Sequence, residues 1–175
     1  QGIEFTWQRG GDIEPQALQE FYDCYQSTYL KRSRQGYLTY EFFAQLLMQM
    51  PDKLLLVTAS QEQRPLAYAL FFVGDYTLYG RYWGCLEEVN FLHFETCYYQ
   101  GIDYCIANNI PHFDAGAQGE HKLARGFIPQ TTHSYHYLAE TGFNDDIEQY
   151  CKAEAEQIEH YMQWAQTALP YKTKQ

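Results

Sequence analysis

The sequence predicts a mixed α+β fold in which helices cover both faces of one sheet. Three observations predict it. Apolar residues recur at helical spacing in four segments of the 175-residue chain. Three short apolar runs, separated by turn-forming residues, follow one another as the strands of an antiparallel meander do. These runs are apolar at nearly every position, which indicates a sheet that is covered on both sides.

The first part of the chain combines a short extended segment, residues 3–7, with two helices. Glu14-Pro15 opens the first helix, since proline is tolerated in a first helical turn, and apolar or aromatic residues follow at helical spacing. The second helix runs from about Tyr40 to Met50. Pro51 ends it, because proline cannot continue a helix.

Three strands come next, joined by short turns. They are predicted over Lys53–Ala59, Leu66–Val73 and Tyr76–Trp83. Residues 61–64 are polar and typical of a turn, and Gly74-Asp75 makes a tight turn before the third strand. Short connections of this kind join neighbouring antiparallel strands.

The second half predicts a helix, a strand, a glycine-rich segment, a further strand and a long helix. Asn90 is positioned to cap the helix that begins this half of the chain. That helix extends to Asn109 with an unbroken apolar stripe. Ile110–Ala115 is a buried strand, and Thr131–Leu138 alternates as a strand does. A long amphipathic helix spans residues 143–169. This order alternates too irregularly for a Rossmann fold.

Composition excludes several classes of protein. Twelve basic residues against 22 acidic residues give a net charge of −10, which repels DNA and anionic lipid. Five scattered cysteines without a C-x-x-C pattern predict free thiols rather than a disulfide framework or a zinc site. No run approaches the roughly 20 apolar residues of a membrane span. We therefore expect a soluble, cytoplasmic protein that binds no DNA.

The segment from Asp114 to Gly126 concentrates the residues with chemical potential. It reads as a strand end, then glycines, then a short helical piece over residues 120–125. Such a turn exposes backbone N–H groups that favour a carboxylate, phosphate or oxyanion. Glu120 and His121 supply a candidate base. The alternative is a glycine-mediated turn before a solvated helix start, and neither the P-loop nor the G-x-G-x-x-G pattern is present.

Two further groups of residues are candidates. Glu87, with Glu88 beside it, lies after the third strand and is placed to orient an amine or act as a base, although acidic residues also stabilise the start of a helix. Arg81, with its aromatic neighbours Tyr82 and Trp83, is placed to hold an anionic or peptidic ligand, although aromatic strand residues are commonly core. No metal site is expected, because the His, Asp and Glu spacing matches no ligand signature.

Two stretches of sequence resemble a known family. GRYWGCLEEVNFLHFETCYYQGIDYCI and AGAQGEHKLARGFIP, together with the order of elements, are similar to the FemAB-like family of peptidoglycan biosynthesis and recognition proteins, which are predicted N-acyltransferases. The resemblance implies a GNAT-like acyltransferase fold with a mostly antiparallel sheet. It also implies that residues 1–175 form a single domain corresponding to the C-terminal half of a longer protein. In that fold, the last meander strand and the next strand splay apart to form an acyl-donor groove.

The resemblance implies transfer of an acyl or aminoacyl group to an amine. Its co-substrate is acyl-CoA or aminoacyl-tRNA, with no firmly assigned cofactor, and tRNA is disfavoured by the charge of −10. The glycine-containing diphosphate loop of many acetyltransferases is missing from Cys85–Phe91, which puts acetyl-CoA in doubt. The expected partners are a small-molecule or peptidic amine acceptor and the N-terminal half of the same protein. The alternative is a non-catalytic domain that recognises a peptide or cell-wall precursor in the same groove.

On this interpretation the catalytic base is Glu120 or His121, with Glu87 next. Backbone N–H groups of residues 116–119, with Lys122 or Arg125, would stabilise the developing oxyanion. The residues expected to bind substrate lie on the third strand and in or beside the glycine-rich segment, and they are Arg81, Tyr82, Trp83, Asp114, Gly116, Gln118, Gly119, Lys122 and Arg125.

Overall fold

The computed structural model describes residues 2–117, 119–139 and 141–171. The chain forms two compact units, Gln1–Gly116 and Ala117–Gln175. The first unit contains the sheet, and the second contains the glycine-rich segment after Gly116 and the long C-terminal helix. The expectation of one domain over residues 1–175, corresponding to the C-terminal half of a longer protein, stays a prediction.

The first unit is built on a five-stranded sheet. The strands are β1 (Ile3–Arg9), β2 (Leu54–Gln61), β3 (Arg64–Val73), β4 (Thr77–Cys85) and β5 (His112–Asp114), and they lie in the order β1-β2-β3-β4-β5. The first four pair antiparallel, and β4 and β5 pair parallel. The predicted meander and the mostly antiparallel sheet are confirmed.

The connections within the meander are as short as the sequence predicts. Between β2 and β3 only Glu62 and Gln63 are left, and both adopt positive φ, 50° and 64°. Positive φ at both central residues is the type I′ geometry that matches the twist of an antiparallel pair. Between β3 and β4, Gly74 N donates to Thr77 O at 2.8 Å and closes a tight turn.

Two helices cover one face of the sheet. They are α1 (Pro15–Leu30) and α2 (Tyr40–Gln49), and the Thr39 hydroxyl caps α2 by accepting from Phe42 N at 3.4 Å. Phe21 of α1 and Phe43 of α2 are buried and belong to one core cluster with side chains of β2 and β3. The centroids of the two phenylalanine rings lie 5.1 Å apart. This face is therefore an aromatic-rich core.

The opposite face is covered by one helical segment in three parts. These parts are α3 (Leu92–Phe94), a π-helical turn (Glu95–Tyr99) and α4 (Gln100–Ala107). Tyr104 and Cys105 are buried against the β2 and β3 side chains of a second core cluster. The predicted covering of both sheet faces is confirmed. The capping role expected of Asn90 is wrong, because the helix starts after Phe91, whose φ of 68° is left-handed and which makes no side-chain cap bond.

The second unit contains less regular structure than the sequence predicts. A 3₁₀ helix spans Glu120–Arg125, and α5 spans Asn144–Ala168, as expected. The strand predicted over residues 131–138 is wrong: the segment is irregular and exposed throughout. Alternation alone does not make a strand, because a strand also needs a neighbour to satisfy its backbone groups. Short 3₁₀ turns lie at Gly10–Asp12 and Pro51–Lys53 in the first unit and at Thr141–Phe143 in the second unit.

Candidate functional site

In the first unit, the pairing of β4 with β5 ends partway along β4. The two strands are paired over Thr77–Tyr79 and His112–Asp114, and the remainder of β4 pairs with β3 alone among the described residues. The end of β5 still passes close to β4, since a Cβ added to Gly80 would lie 3.7 Å from the Asp114 carbonyl oxygen. The two strands therefore part at Gly80, which is the vertex of the groove expected between them.

A β-bulge occupies the position that follows this vertex. Leu70 of β3 pairs with Tyr82, whereas the adjacent Phe71 pairs with Gly80, so Arg81 is an extra residue in β4. The extra residue of a bulge falls outside the regular ladder, and bulges commonly re-aim groups near active sites. Arg81 is exposed. Its guanidinium carbon lies 5.3 Å from the ring centroid of Tyr82, which is within cation–π range.

The α1 helix lies against β4 with no space for a side chain between the two backbones. A Cβ on Gly84 would come within 2.2 Å of the Cys24 carbonyl oxygen. The Thr28 hydroxyl lies 3.1 Å from the carbonyl oxygens of both Cys24 and Trp83, so it links the helix to the strand. This close approach brings the tyrosines of α1 beside the bulge.

Four tyrosines form a connected group on the α1 side of β4. They are Tyr25, Tyr29, Tyr37 and Tyr82. Their rings are in contact, since the Tyr29 ring centroid lies 5.0 Å from that of Tyr25 and 5.9 Å from that of Tyr37. The Tyr25 ring also lies edge-on to Tyr82 with centroids 5.5 Å apart. Burial raises the pKa of Tyr25, Tyr29 and Tyr82, so all three hydroxyls are neutral at pH 7.

The other side of β4 presents a second aromatic group that includes a histidine. The His93 ring at the start of the helical segment lies 5.2 Å from Trp83 and 5.4 Å from Tyr98, both edge-on. Trp83 is half-buried and packs against the core clusters on this face. The strand pair Tyr82 and Trp83 therefore faces opposite sides of the sheet, as the period of a strand requires.

The loop after β4 is acidic and tied down by ion pairs. Glu87 Oε1 lies 2.5 Å from the Arg64 guanidinium, and Glu88 Oε1 lies 2.9 Å from Lys31 Nζ. The hydrogen bond from Lys31 lowers the pKa of Glu88. At the helix start, Leu92 N donates to the carbonyl oxygen of Val89.

These features do not fit a diphosphate. Two exposed carboxylates stand where a diphosphate would have to approach, and the first amide of the helix is already bonded. The loop before the helical segment, residues 85–91, contains no glycine that would let a ligand approach its backbone N–H groups closely. We therefore derive no step through coenzyme A.

Asp114 and Gly116 close the end of β5. Asp114 pairs with Tyr79 in the parallel ladder, and its Oδ1 accepts from Gly116 N at 2.8 Å. A Cβ on Gly116 would lie 3.5 Å from the carbonyl oxygen of Gly80. Of the residues predicted to bind substrate, Asp114 and Gly116 thus come together with the strand that carries Arg81.

The second unit holds the remaining candidates in one 3₁₀ turn. The His121 ring lies over Gly119, whose φ of 105° and lack of a side chain make room for it, since an added Cβ would be 2.5 Å from the ring. Arg125 donates to the His121 carbonyl oxygen at 2.6 Å, and Lys122 donates to the Ala117 carbonyl oxygen at 3.3 Å. Glu120 is exposed. Gln118 lies outside the described residues.

The electrostatics of this turn favour a neutral imidazole. Partial burial, and then the charges of Arg125 and Lys122, lower the pKa of His121. A histidine with a lowered pKa is unprotonated at pH 7 and is able to accept a proton. The chemical part of the prediction for His121 is thus consistent with its surroundings, while the assignment of Glu120, His121 and Glu87 as bases stays a prediction.

Three features of the groove were missed by sequence reasoning. The bulge at Arg81 leaves no local signal, because register depends on the partner strand. His93 enters the sequence argument only as one of the His, Asp and Glu residues whose spacing matches no metal site. Tyr37 lies after a run that contains Lys31, Arg32 and Arg34, and three cations within four positions of an acidic chain are a signal that the sequence does contain.

Two kinds of feature are absent from residues 2–117, 119–139 and 141–171. No three His, Cys, Asp or Glu side chains in these ranges are close enough together to hold a metal ion. No helix of the described chain is both long and apolar enough to cross a membrane.

Comparisons with known proteins agree with this architecture. The model of the FemAB-like family, described as peptidoglycan biosynthesis/recognition, matches residues 1–173. No curated protein matches the chain.

Three solved structures that share the fold are described as acetyltransferases. A predicted acetyltransferase with acetyl-CoA from Clostridium acetobutylicum is 13% identical with a TM-score of 0.53, covering 78% of this chain and 95% of its own. An aminoglycoside acetyltransferase from an uncultured soil metagenomic sample, in complex with sisomicin, is 14% identical with a TM-score of 0.52, covering 78% and 97%. A GNAT family acetyltransferase from Staphylococcus aureus is 10% identical with a TM-score of 0.50, covering 79% and 100%. At these identities the likeness shows the fold, and the predicted GNAT-like fold is confirmed.

Proposed function

Because the chain belongs to the FemAB-like family of peptidoglycan biosynthesis and recognition, we propose that it catalyses transfer of an acyl or aminoacyl group to an amine in the groove between β4 and β5. The observation that carries the proposal is the β-bulge at Arg81, located next to the vertex where the two strands part. A groove that ends at an irregular backbone position offers both a channel for a donor and polar backbone groups at its end.

The chemistry requires a developing negative charge to be stabilised. The acceptor nitrogen attacks the acyl carbon, and the carbonyl oxygen becomes an oxyanion while the N–C bond forms. Backbone N–H groups held rigidly at that point stabilise the charge without having to reorganise. In the first unit, the bulge at Arg81 is the source of such groups that we propose.

The acceptor must also lose a proton. The first candidates for the base are Glu120 and His121, and Glu87 is the next. His121 is neutral at pH 7 for the reasons given above, whereas the Glu87 carboxylate is paired with Arg64. The bond between the acyl carbon and its leaving group then breaks, and the leaving group takes the electron pair and a proton.

The donor and the acceptor are proposed only by class. The donor is an activated acyl or aminoacyl group, carried by coenzyme A or by tRNA. The acidic loop at Glu87 and Glu88 is unfavourable to the diphosphate of coenzyme A. The net charge of −10 is unfavourable to tRNA. The acceptor is a small-molecule or peptidic amine. We expect a cytoplasmic reaction.

The test is a direct search for product. The full-length protein is incubated with acyl-CoA or aminoacyl-tRNA and a set of amine acceptors, and the molecular mass of each acceptor is measured by mass spectrometry. A mass gain equal to the donated group supports the proposal. Saturable binding of an acceptor without product from either donor class would instead support the alternative, a recognition domain that uses the same groove.

A further inference from the structure

The exposed arginine of the bulge is held in place by an aromatic ring. The guanidinium carbon of Arg81 lies 5.3 Å from the centroid of the Tyr82 ring. A guanidinium carries five N–H donors in a planar fork, more than one tyrosine hydroxyl can accept. The fork matches the geometry of a carboxylate, which accepts two parallel hydrogen bonds.

Hydroxyl groups extend the polar surface away from this arginine. Tyr82 contacts the Tyr25 ring, which in turn contacts the rings of Tyr29 and Tyr37, with centroids 5.0 to 6.5 Å apart. The Tyr37 side chain is 65% exposed. Because burial keeps the hydroxyls of Tyr82 and Tyr29 protonated, they are hydrogen-bond donors rather than negative charges. Arg81 with these hydroxyls, here called the Arg81–tyrosine row, is therefore a set of donors beside one positive charge.

The connection that contains Tyr37 is basic although the whole chain is acidic. Lys31, Arg32 and Arg34 follow the end of α1, in the connection that also contains Tyr37. Lys31 is paired with Glu88. Arg32 and Arg34 are exposed, and among the described residues their side chains form no ion pair. Such a patch attracts anions at low ionic strength and does not by itself select one.

We propose that the Arg81–tyrosine row binds the carboxylate of the acceptor, so that the acceptor is an amino acid or a peptide with a free carboxyl group. This inference rests on the proposed function, since it names the acceptor of that reaction. One guanidinium flanked by neutral hydroxyl donors suits a planar monoanion better than a phosphate dianion. The position of Arg81 next to the groove vertex places a bound carboxylate within one small molecule's length of the reacting centre.

The experiment measures binding and requires no turnover, so its failure is distinct from failure of the proposed function. Alanyl-alanine and alanyl-alaninamide are titrated into the full-length protein at pH 7, and their dissociation constants are measured by NMR. The amide is a cation and the acid a zwitterion, so the net charge of −10 favours the amide nonspecifically. We expect the acid to bind roughly tenfold more tightly, because charge-assisted bonds are lost in the amide.

Variant proteins test whether the preference for alanyl-alanine over its amide depends on the Arg81–tyrosine row. Arg81→Gln is expected to bring the two dissociation constants to within about twofold of each other, and Tyr37→Phe to weaken the preference while leaving the aromatic ring in place. Arg9→Gln is the matched control, because Arg9 is exposed on β1 at the far edge of the sheet and the charge change is identical. Its preference is expected to equal that of the wild type.

Several results would overturn the inference. Equal binding of acid and amide would do so, as would no binding of either, or a preference that survives in folded Arg81→Gln. Should Arg81→Gln fail to fold, the wild-type comparison and Tyr37→Phe still decide. Phosphoethanolamine and ethanolamine form a further pair, and tighter binding of phosphoethanolamine than of alanyl-alanine would refute the assignment to a carboxylate.

Discussion

Replacing Gly84 with alanine tests whether α1 lies directly against β4. The added Cβ would come within 2.2 Å of the Cys24 carbonyl oxygen and 2.3 Å of its carbonyl carbon, distances that no relaxation of a side chain can relieve. The helix would have to move away from the strand. That movement would stretch the hydrogen bond from the Thr28 hydroxyl to the Trp83 carbonyl oxygen, now 3.1 Å.

The magnitude follows from these two effects. Overpacking a tight contact costs about 1–3 kcal/mol, and loss of one hydrogen bond adds about 1 kcal/mol. We expect Gly84→Ala to lower the free energy of unfolding by roughly 2–4 kcal/mol. For a chain of this size that corresponds to a fall in Tm of roughly 4–16 °C.

Urea denaturation followed by circular dichroism measures the effect. Gly11→Ala is the matched control, because a Cβ there meets nothing within 4 Å, and it is expected to change the free energy of unfolding by less than about 0.5 kcal/mol. If Gly84→Ala were as stable as Gly11→Ala, the close approach of α1 and β4 would be wrong. The placement of the α1 tyrosines beside the bulge would then be wrong as well.

Three further predictions concern other parts of the chain. Replacing Glu62 and Gln63 by Asn and Gly is expected to raise the free energy of unfolding by roughly 0.5–1 kcal/mol in urea denaturation, because both positions have positive φ; an unchanged or lower value would contradict the turn geometry. In NMR titrations His121 should lose its proton at a pH below 6.5, and Arg125→Gln should shift that midpoint upward because one repelling charge is removed; a midpoint above 6.5 would refute this. Peptide mapping after brief iodoacetamide treatment should find Cys151 labelled first, because its side chain is exposed. Burial raises the pKa of the Cys24 thiol to about 12 and that of the Cys105 thiol to about 11, which slows their reaction. First labelling of Cys24 or Cys105 would contradict the core described.

Much of the first unit could be predicted because its signals are local. Apolar runs bounded by turn residues mark β2 to β4 within one or two residues, and Pro15 and Pro51 mark helix boundaries. These signals arise from backbone geometry that each residue imposes on its own segment. Residues 131–138 show the limit, because their alternation satisfies the local rule and no neighbouring strand is available to pair with them.

The candidate site was less accessible to sequence reasoning, because its geometry depends on pairing. The register that makes Arg81 an extra residue is set jointly by β3 and β4. The contact between Tyr25 and Tyr82 joins a helix to a strand 57 positions away in sequence. Sequence reasoning did identify Arg81 and Tyr82 as candidates, on the grounds of an arginine among aromatics, but it gave the tyrosines of α1 no part in the site.

The most direct test of the account is a single-turnover reaction with the full-length protein. An amine acceptor and an activated donor are mixed with wild-type protein or with the double variant Glu120→Ala/His121→Ala, and the acceptor is analysed by mass spectrometry. The account predicts acylated acceptor with the wild type and none with the folded double variant. Absence of product from the wild type with every acyl-CoA and aminoacyl-tRNA donor would contradict the proposed activity, and equal product from both proteins would contradict the assignment of the base.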